Sequence, residues 1–302
     1  MKMLIAAVAF IVAAPLGAQD FSTVEIKTEP VVAGVHVLFG AGGNIGVSTG
    51  PDGTFIIDDQ YAPLTPKIQA ALAKLADTPV RFVLNTHWHG DHTGGNENLG
   101  RAGALIVAHD NVRVRMSSDQ FIASMQRAVP AAPAVALPVV TFDSGTTFHI
   151  NGDAIRAVHV HNAHTDGDSL VHFTKANVIH MGDTYFSAAY PYVDLSSGGS
   201  FDGLLAAHAK ALALGNDTTR YIPGHGPVTG KAELAAYRAM IAEVVGKVRA
   251  GIAAKQSLDQ ILAAKPTAAY DATWGAGFIK PDALVRAIHA SLTNTPEAPH
   301  KH

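Results

Sequence analysis

The sequence predicts an α+β protein in which two β-sheets face each other and helices cover their outer faces. Three observations carry this reading. Short β-branched and aromatic runs recur in two blocks, one before and one after residue 138. Runs with apolar residues at helical spacing flank both blocks. Polar loops rich in histidine and aspartate follow the ends of apolar strands, where a rigid scaffold usually presents its chemistry.

Residues 31–39 read as one strand, followed by the turn Gly40-Ala41-Gly42-Gly43-Asn44 and a strand at 45–47. That turn lacks the Gly-Lys-Ser/Thr ending of a phosphate loop and no helix follows it, so it reads as a hairpin tip overhanging an active site. Pro51-Asp52-Gly53 is a turn signal, and 54–57 is the next strand. Pro66 suits the first turn of a helix, and Ile68, Leu72 and Leu75 follow at helical spacing. The run 80–86 is short, β-branched and aromatic, a buried strand neighbouring 54–57. A strand at 104–108 and a helix over 109–127 come next. Residues 130–138, rich in alanine and proline, read as a loop and a mobile flap. Strands resume at 139–142, 146–150 and 154–161, separated by Asp143-Ser144-Gly145 and Asn151-Gly152-Asp153. Strands at 169–173, 178–181 and 220–222, and helices at 201–214, 231–250, 257–264 and 281–292, complete the pattern. The polar tail from Asn294 reads as disordered.

Composition narrows the function. A net charge of −3 gives no reason to expect nucleic acid or an anionic membrane as partner. The absence of cysteine excludes disulfides, thiolate catalysis and cysteine-ligated metals. Residues 1–18 read as a secretory signal peptide: Lys2, an apolar run over 4–14 too short to span a bilayer comfortably, then Pro15-Leu16-Gly17-Ala18. A retained anchor is the alternative. The expectation is export to a bacterial periplasm with no stable membrane insertion after signal removal, leaving one domain over 19–302 with C-terminal helices from about 230. Nothing specifies an oligomeric state.

The chain is organised around His87-Trp88-His89-Gly90-Asp91-His92. With 16 histidines in the chain an isolated one carries little weight, but this H-x-H-x-D-H cluster carries a great deal. Imidazole and carboxylate together suit zinc in a catalytic site. On an extended segment His87 and His89 point the same way. A tight turn at Gly90 then lets Asp91 and His92 face a second metal. Three more loops follow apolar strands and carry a ligand-type side chain among small residues, at His164, Asp183 and His225.

Taken in order, His-Trp-His-Gly-Asp-His, a His-Thr loop, Gly-Asp and Pro-Gly-His-Gly resemble the zinc signature of the metallo-β-lactamase superfamily, over about residues 31–228. The resemblance implies an αββα sandwich of two mixed sheets flanked by helices, with two zinc ions at one edge. It implies His87, His89 and His164 as ligands of one zinc, Asp91, His92 and His225 as ligands of the other, and Asp183 as the carboxylate bridging both. His89 points to zinc, because the diiron electron-transfer branch has a glutamate there. The implied chemistry is attack of a zinc-activated hydroxide on an amide or ester carbonyl, with Asp91 orienting the nucleophile and helping to move its proton.

The substrate is less directly marked. Gly182-Asp183-Thr184-Tyr185-Phe186 has neither the cysteine nor the lysine of one β-lactamase subclass, and Asp183 stands where another subclass has serine. A bridging aspartate is commoner among thioesterase-, lactonase- and phosphodiesterase-like relatives. Export, the glycine hairpin and the zinc set leave room for weak or moderate β-lactam hydrolysis, and a β-lactam-like cyclic amide is the leading small-molecule substrate. Lactones, thioesters and phosphodiesters are the alternatives within the fold, and the thioester reading is weakened because the C-terminal helices show no clustered basic pair for glutathione or coenzyme A. A non-hydrolytic iron enzyme or accessory metalloprotein is the alternative outside it.

Other candidates have two readings each. Trp88 packs beneath the site rather than contacting substrate. Asp58 and Asp168 either hydrogen-bond the metal loops or serve as turn residues. Asn162 is a turn residue before it is an oxyanion donor. Tyr185, Phe186, Tyr190 and Tyr192 either line a pocket or pack the core. His36, His109, His149, His159, His161, His172, His180, His208 and His289 read as structural or exposed. The helices after 230 complete a sandwich face.

Overall fold

Two runs of apolar strands build two sheets whose inner faces meet. The computed structural model describes residues 20–294, so the expected signal segment and all but the first residue of the polar tail lie outside the described residues. The first half contains β1 (Lys27–Val32), β2 (Val35–Phe39), β3 (Ile45–Ser48), β4 (Thr54–Ile57), α1 (Thr65–Leu72), β5 (Val80–Leu84), α2 (Gly90–Thr93), α3 (Asn96–Arg101), β6 (Leu105–His109) and α4 (Asp110–Met116). A small hairpin, β7 (Gln120–Ile122) and β8 (Arg127–Val129), precedes β9 (Val140–Phe142). The second half contains β10 (Gly145–Ile150), β11 (Asp153–His159), β12 (Ser169–Phe173), β13 (Val178–His180), α5 (Phe201–Leu214), β14 (Arg220–Ile222), α6 (Lys231–Ala253), α7 (Leu258–Ala263), α8 (Asp271–Trp274) and α9 (Pro281–Thr293).

The first sheet has the order β1-β2-β3-β4-β5-β6-β9, and the second β10-β11-β12-β13-β14. Both are mixed. The β1 to β4 pairs are antiparallel, whereas β4–β5, β5–β6 and β6–β9 are parallel. In the second sheet only β13–β14 is parallel. Strand alternation sorts the side chains into three layers. Val37, Phe55, Ile57, Leu84, Ile155, Val171 and Phe173 fill the space between the sheets. Val47, Ile56, Val83 and Ile106 project from the other face of the first sheet onto Ile68 and Leu72 of α1 and Leu99 of α3. Leu170, Ile179 and Tyr221 project from the second sheet onto Leu204 of α5, Ile241 and Val245 of α6, and Ile288 of α9. The order is therefore helix, sheet, sheet, helix, as expected. No helix among the described residues is long and apolar enough to cross a membrane.

This topology places the site. Strands β11, β13 and β14 run in one direction, so the loops after them leave the second sheet at the same edge. The loops after the parallel β4 and β5 meet them there: Asp59 N donates to His92 O at 2.9 Å, and Ser169 N donates to Thr86 O at 2.9 Å.

Three expectations change. Residues 31–39 are not one strand, because Gly34 adopts a left-handed φ of 78° and folds β1 back on β2. The helix expected over 109–127 ends at Met116. Ser117 and Ser118 turn their hydroxyls onto the carbonyl of Val114, competing with helix continuation, and the strand-forming Phe121-Ile122 pairs with 127–128 instead. Residues 130–138 are no flap. Ala136 and Leu137 are buried, Asn96 Nδ2 donates to Ala136 O at 3.0 Å, and Ala132 N donates to Met116 O at 2.8 Å. The glycine turn 40–44 does join β2 to β3, but as a wall inside the site: Gly43 N donates to Asp91 O at 3.0 Å and Asn44 N to Gly224 O at 2.7 Å.

Between the sheets Phe55 touches Phe82 and Phe148, with ring centroids 6.1 and 4.9 Å away. Phe55→Ala should destabilise the protein by about 3–5 kcal/mol, read as a lower midpoint in urea. An unchanged midpoint would mean that this contact is not part of the core.

Candidate metal centre

His87, His89, Asp91, His92, His164, Asp183 and His225 converge at that edge. Three ligand sets form among the described residues, each with its donor atoms within 4.8 Å of one another: His87, His89, His164; His87, His92, Asp183; and Asp91, His92, His225. Asp183 lies between the outer two. Its Oδ2 is 3.9 Å from His87 Nε2 and 3.7 Å from His164 Nε2, while Oδ1 is 3.0 Å from His92 Nε2 and 3.4 Å from His225 Nε2. Asp91 Oδ2 lies 3.3 Å from His225 Nε2 and 3.6 Å from His92 Nε2.

Hydrogen bonding fixes which ring nitrogens face inward. His164 Nδ1 donates to the Tyr192 carbonyl at 2.8 Å, and His89 Nε2 to the Asp194 carboxylate at 3.0 Å. His92 Nδ1 donates to Asp58 Oδ2 at 2.8 Å. Thr86 gives its hydroxyl proton to Asp58, so its oxygen accepts from His87 Nδ1 at 3.0 Å. A neutral imidazole has one N–H, so in its neutral form each of these rings presents a bare nitrogen to the centre. His164 Nε2 and His89 Nδ1, both bare by this assignment, lie only 2.9 Å apart. Among the described residues, His87 Nε2 and Asp183 Oδ1 are buried with no hydrogen-bond partner. Lone pairs crowded together in this way are costly unless a cation neutralises them. Nitrogen and carboxylate donors on supported rings fit zinc.

The electrostatics divide the centre in two. Burial pushes His87 well below the ordinary histidine range and His164 down to about 4, so both rings are neutral and free to coordinate. Burial acts the same way on His92 and His225, but carboxylates reverse it. Asp183, Asp91 and Asp58 hold His92 well above its usual value, and Asp183 and Asp91 raise His225 to about 9. A site that draws protons this strongly attracts a metal cation for the same reason. Burial would raise Asp91, yet His92 and His225 outweigh it and hold the carboxyl below its usual range.

The supports come from the ends of the same strands. Asp58, at a left-handed φ of 63°, accepts from Thr86 N at 2.7 Å and Thr86 Oγ1 at 2.8 Å, pinning the 85–92 loop as well as orienting His92. Asp168 accepts from Thr165 N at 2.8 Å and Thr165 Oγ1 at 2.6 Å, which caps the His164 loop; burial raises its carboxyl to about 8. Two glycines are set by close approach. A Cβ at Gly43 would lie 2.0 Å from the His92 ring, and one at Gly224 would lie 2.0 Å from Asp183 Oδ1.

Of the other candidates, Trp88 is buried against His89, with its indole N–H on Ser197 Oγ at 3.2 Å, and one edge of it also lines the cavity. Asn162 is exposed, at a φ of 48°, and bonds Gly198 O, a turn role. Phe186 and Tyr192 line the cavity above the site, whereas Tyr185 and Tyr190 are core residues. None of the nine histidines read as structural or exposed joins a ligand set. Sequence reasoning missed Asp194. It accepts from His89, Ser196 and Ser197, but in Asp-Leu-Ser-Ser-Gly-Gly it looks like ordinary loop polarity.

A double-sheet sandwich with a histidine–aspartate cluster at its edge defines a class of metallo-hydrolase. The family model described as "Metallo-beta-lactamase superfamily" matches residues 38–225. The chain belongs to that superfamily. A protein named hydroxyacylglutathione hydrolase from Polaromonas sp. is 30% identical over 172 residues, covering 54% of this chain and 55% of the relative. The chain thus spans about half the length of the curated relatives it matches. Among solved structures, a metallo-β-lactamase from Pontibacter korlensis aligns with TM-score 0.60 at 17% identity, covering 72% of this chain and 99% of that one. The inverting sec-alkylsulfatase Pisa1 from Pseudomonas sp. aligns with TM-score 0.66 at 15% identity, covering 88% and 50%. Both share the fold.

If Asp194 orients His89, Asp194→Ala should weaken metal affinity by about 10–100-fold, read by competition with a chromophoric chelator, while far-ultraviolet circular dichroism stays unchanged. Wild-type affinity in that variant would remove Asp194 from the centre.

Proposed function

We propose that this protein is an exported dinuclear-zinc hydrolase that cleaves an activated acyl bond, with a β-lactam-like cyclic amide as its leading substrate. The observation that carries the dinuclear reading is Asp183, whose two oxygens face separate histidine groups across one buried centre. His87, His89 and His164 would hold one zinc, Asp91, His92 and His225 the other, and Asp183 would touch both. Bound there, zinc supplies Lewis acidity: it lowers the pKa of water to about 7 and polarises a carbonyl.

The chain's own groups do the rest. The Asp91 side chain is 23% exposed and lines the cavity, so it can take a proton from the attacking water and return it to the leaving group. The cavity is about 540 Å³, enough for a small molecule. Phe186 stacks on His225 with centroids 5.2 Å apart and planes at 11°, fixing that ring at the cavity rim. Trp88, Ile122, Val129 and Phe278 give the cavity apolar walls that exclude water.

A thioester substrate is the second reading, supported by the relatives named hydroxyacylglutathione hydrolase. The two separate in steady-state assays of zinc-loaded protein with a chromogenic β-lactam and with a hydroxyacyl thioester. A chelator-sensitive kcat/KM of about 10⁴ M⁻¹s⁻¹ or more marks the substrate class. Two zinc ions per chain are expected by metal analysis, with loss of metal and activity together in His89→Ala and Asp91→Ala. Unchanged zinc in both variants would remove these ligands from the assignment.

We also propose that residues 1–18 direct export. Expressed in a Gram-negative host, the mature protein should lie in the periplasmic fraction, with a new N-terminus near residue 19 by mass spectrometry. An intact N-terminus in the cytosol would end that reading.

A further inference from the structure

The β7–β8 hairpin is not used by the metal chemistry, yet one of its faces lines the cavity. Ile122 and Arg127 are cross-strand partners, and with Val129 they stand on that face. Apart from histidines, Arg127 is the one basic side chain lining the cavity among the described residues. A Cβ at Gly90 would lie 3.9 Å from Arg127 Nη2, which puts the guanidinium beside the loop that carries Asp91. It makes no hydrogen bond and no ion pair among the described residues. Arg127 is exposed at the cavity mouth, and its neighbours Ile122, Met125 and Val129 are apolar, so no other cavity group there competes for an anion.

The hairpin is also fixed in position. Ser124 Oγ and Tyr192 Oη are 2.8 Å apart, and Ala123 N donates to Ser196 Oγ at 3.2 Å. Those bonds dock the hairpin onto segment 192–197, which supplies the carbonyl behind His164 and the carboxylate behind His89. The strand that carries Arg127 is thereby held in register with the metal loops.

We infer that Arg127 is a specificity-determining residue that binds a carboxylate on the substrate, remote from the scissile carbonyl. The inference rests on reading this cavity as the substrate site of a hydrolase. The substrate class is an acyl compound with an apolar body and a free carboxylate at the end that meets the hairpin. A guanidinium offers such a group two parallel N–H donors, which a lysine at the same place would not.

The test is isothermal titration of the zinc-loaded protein with two stable amides, glutaric acid monoanilide and pentananilide, which differ in a terminal carboxylate. Wild type should prefer the anionic probe by about tenfold or more, the scale of a charge-assisted bidentate contact. The preference should vanish in Arg127→Gln and persist in reduced form in Arg127→Lys, with zinc content and melting temperature unchanged in both. Equal binding of the two probes by wild type, no binding of the anionic one, or a preference that survives Arg127→Gln would overturn the assignment. If the preference and its loss stand while no acyl substrate is cleaved, the hydrolase reading fails and the anion site remains.

Discussion

The structure depends on one arrangement: each supported imidazole gives its outer N–H to a fixed acceptor and turns its other nitrogen inward, bare. The acceptors are the Thr86 hydroxyl, the Asp194 and Asp58 carboxylates and the Tyr192 carbonyl. Remove them and the rings are free to rotate, and the donors no longer converge. With them, buried lone pairs crowd one small volume, and only a cation satisfies them together.

The sandwich meets that demand by bringing loops of both sheets to one edge. The Asp58 and His92 loops come from the first sheet, and the His164, Asp183 and His225 loops from the second. A single buried carboxylate, Asp183, faces donors from each. Backbone bonds lock the loops together, and glycines at 43 and 224 let them approach closer than any side chain would allow. The apolar layers on both sides make this rigid, so metal chemistry and fold stability are linked.

Much of this was legible in the sequence because it is local. H-x-H-x-D-H lies within six residues, and His164, Asp183 and His225 each follow a strand whose apolar run is unmistakable. What escaped is nonlocal or conformational. Asp194 meets His89 across 105 positions and carries no motif of its own. Residues 109–127 read as one helix, yet the serines at 117 and 118 end it and the chain turns into the hairpin that brings Arg127 to the cavity. The glycine turn 40–44 read as an overhang, because its contacts with Asp91 and Gly224 depend on how the two sheets close.

The most direct test of the two-metal centre is anomalous diffraction at the zinc edge from crystals grown with zinc. The account predicts two peaks at this edge of the sandwich, one among His87, His89 and His164 and one among Asp91, His92 and His225, with Asp183 between them. A single peak, or zinc bound only elsewhere, would contradict it.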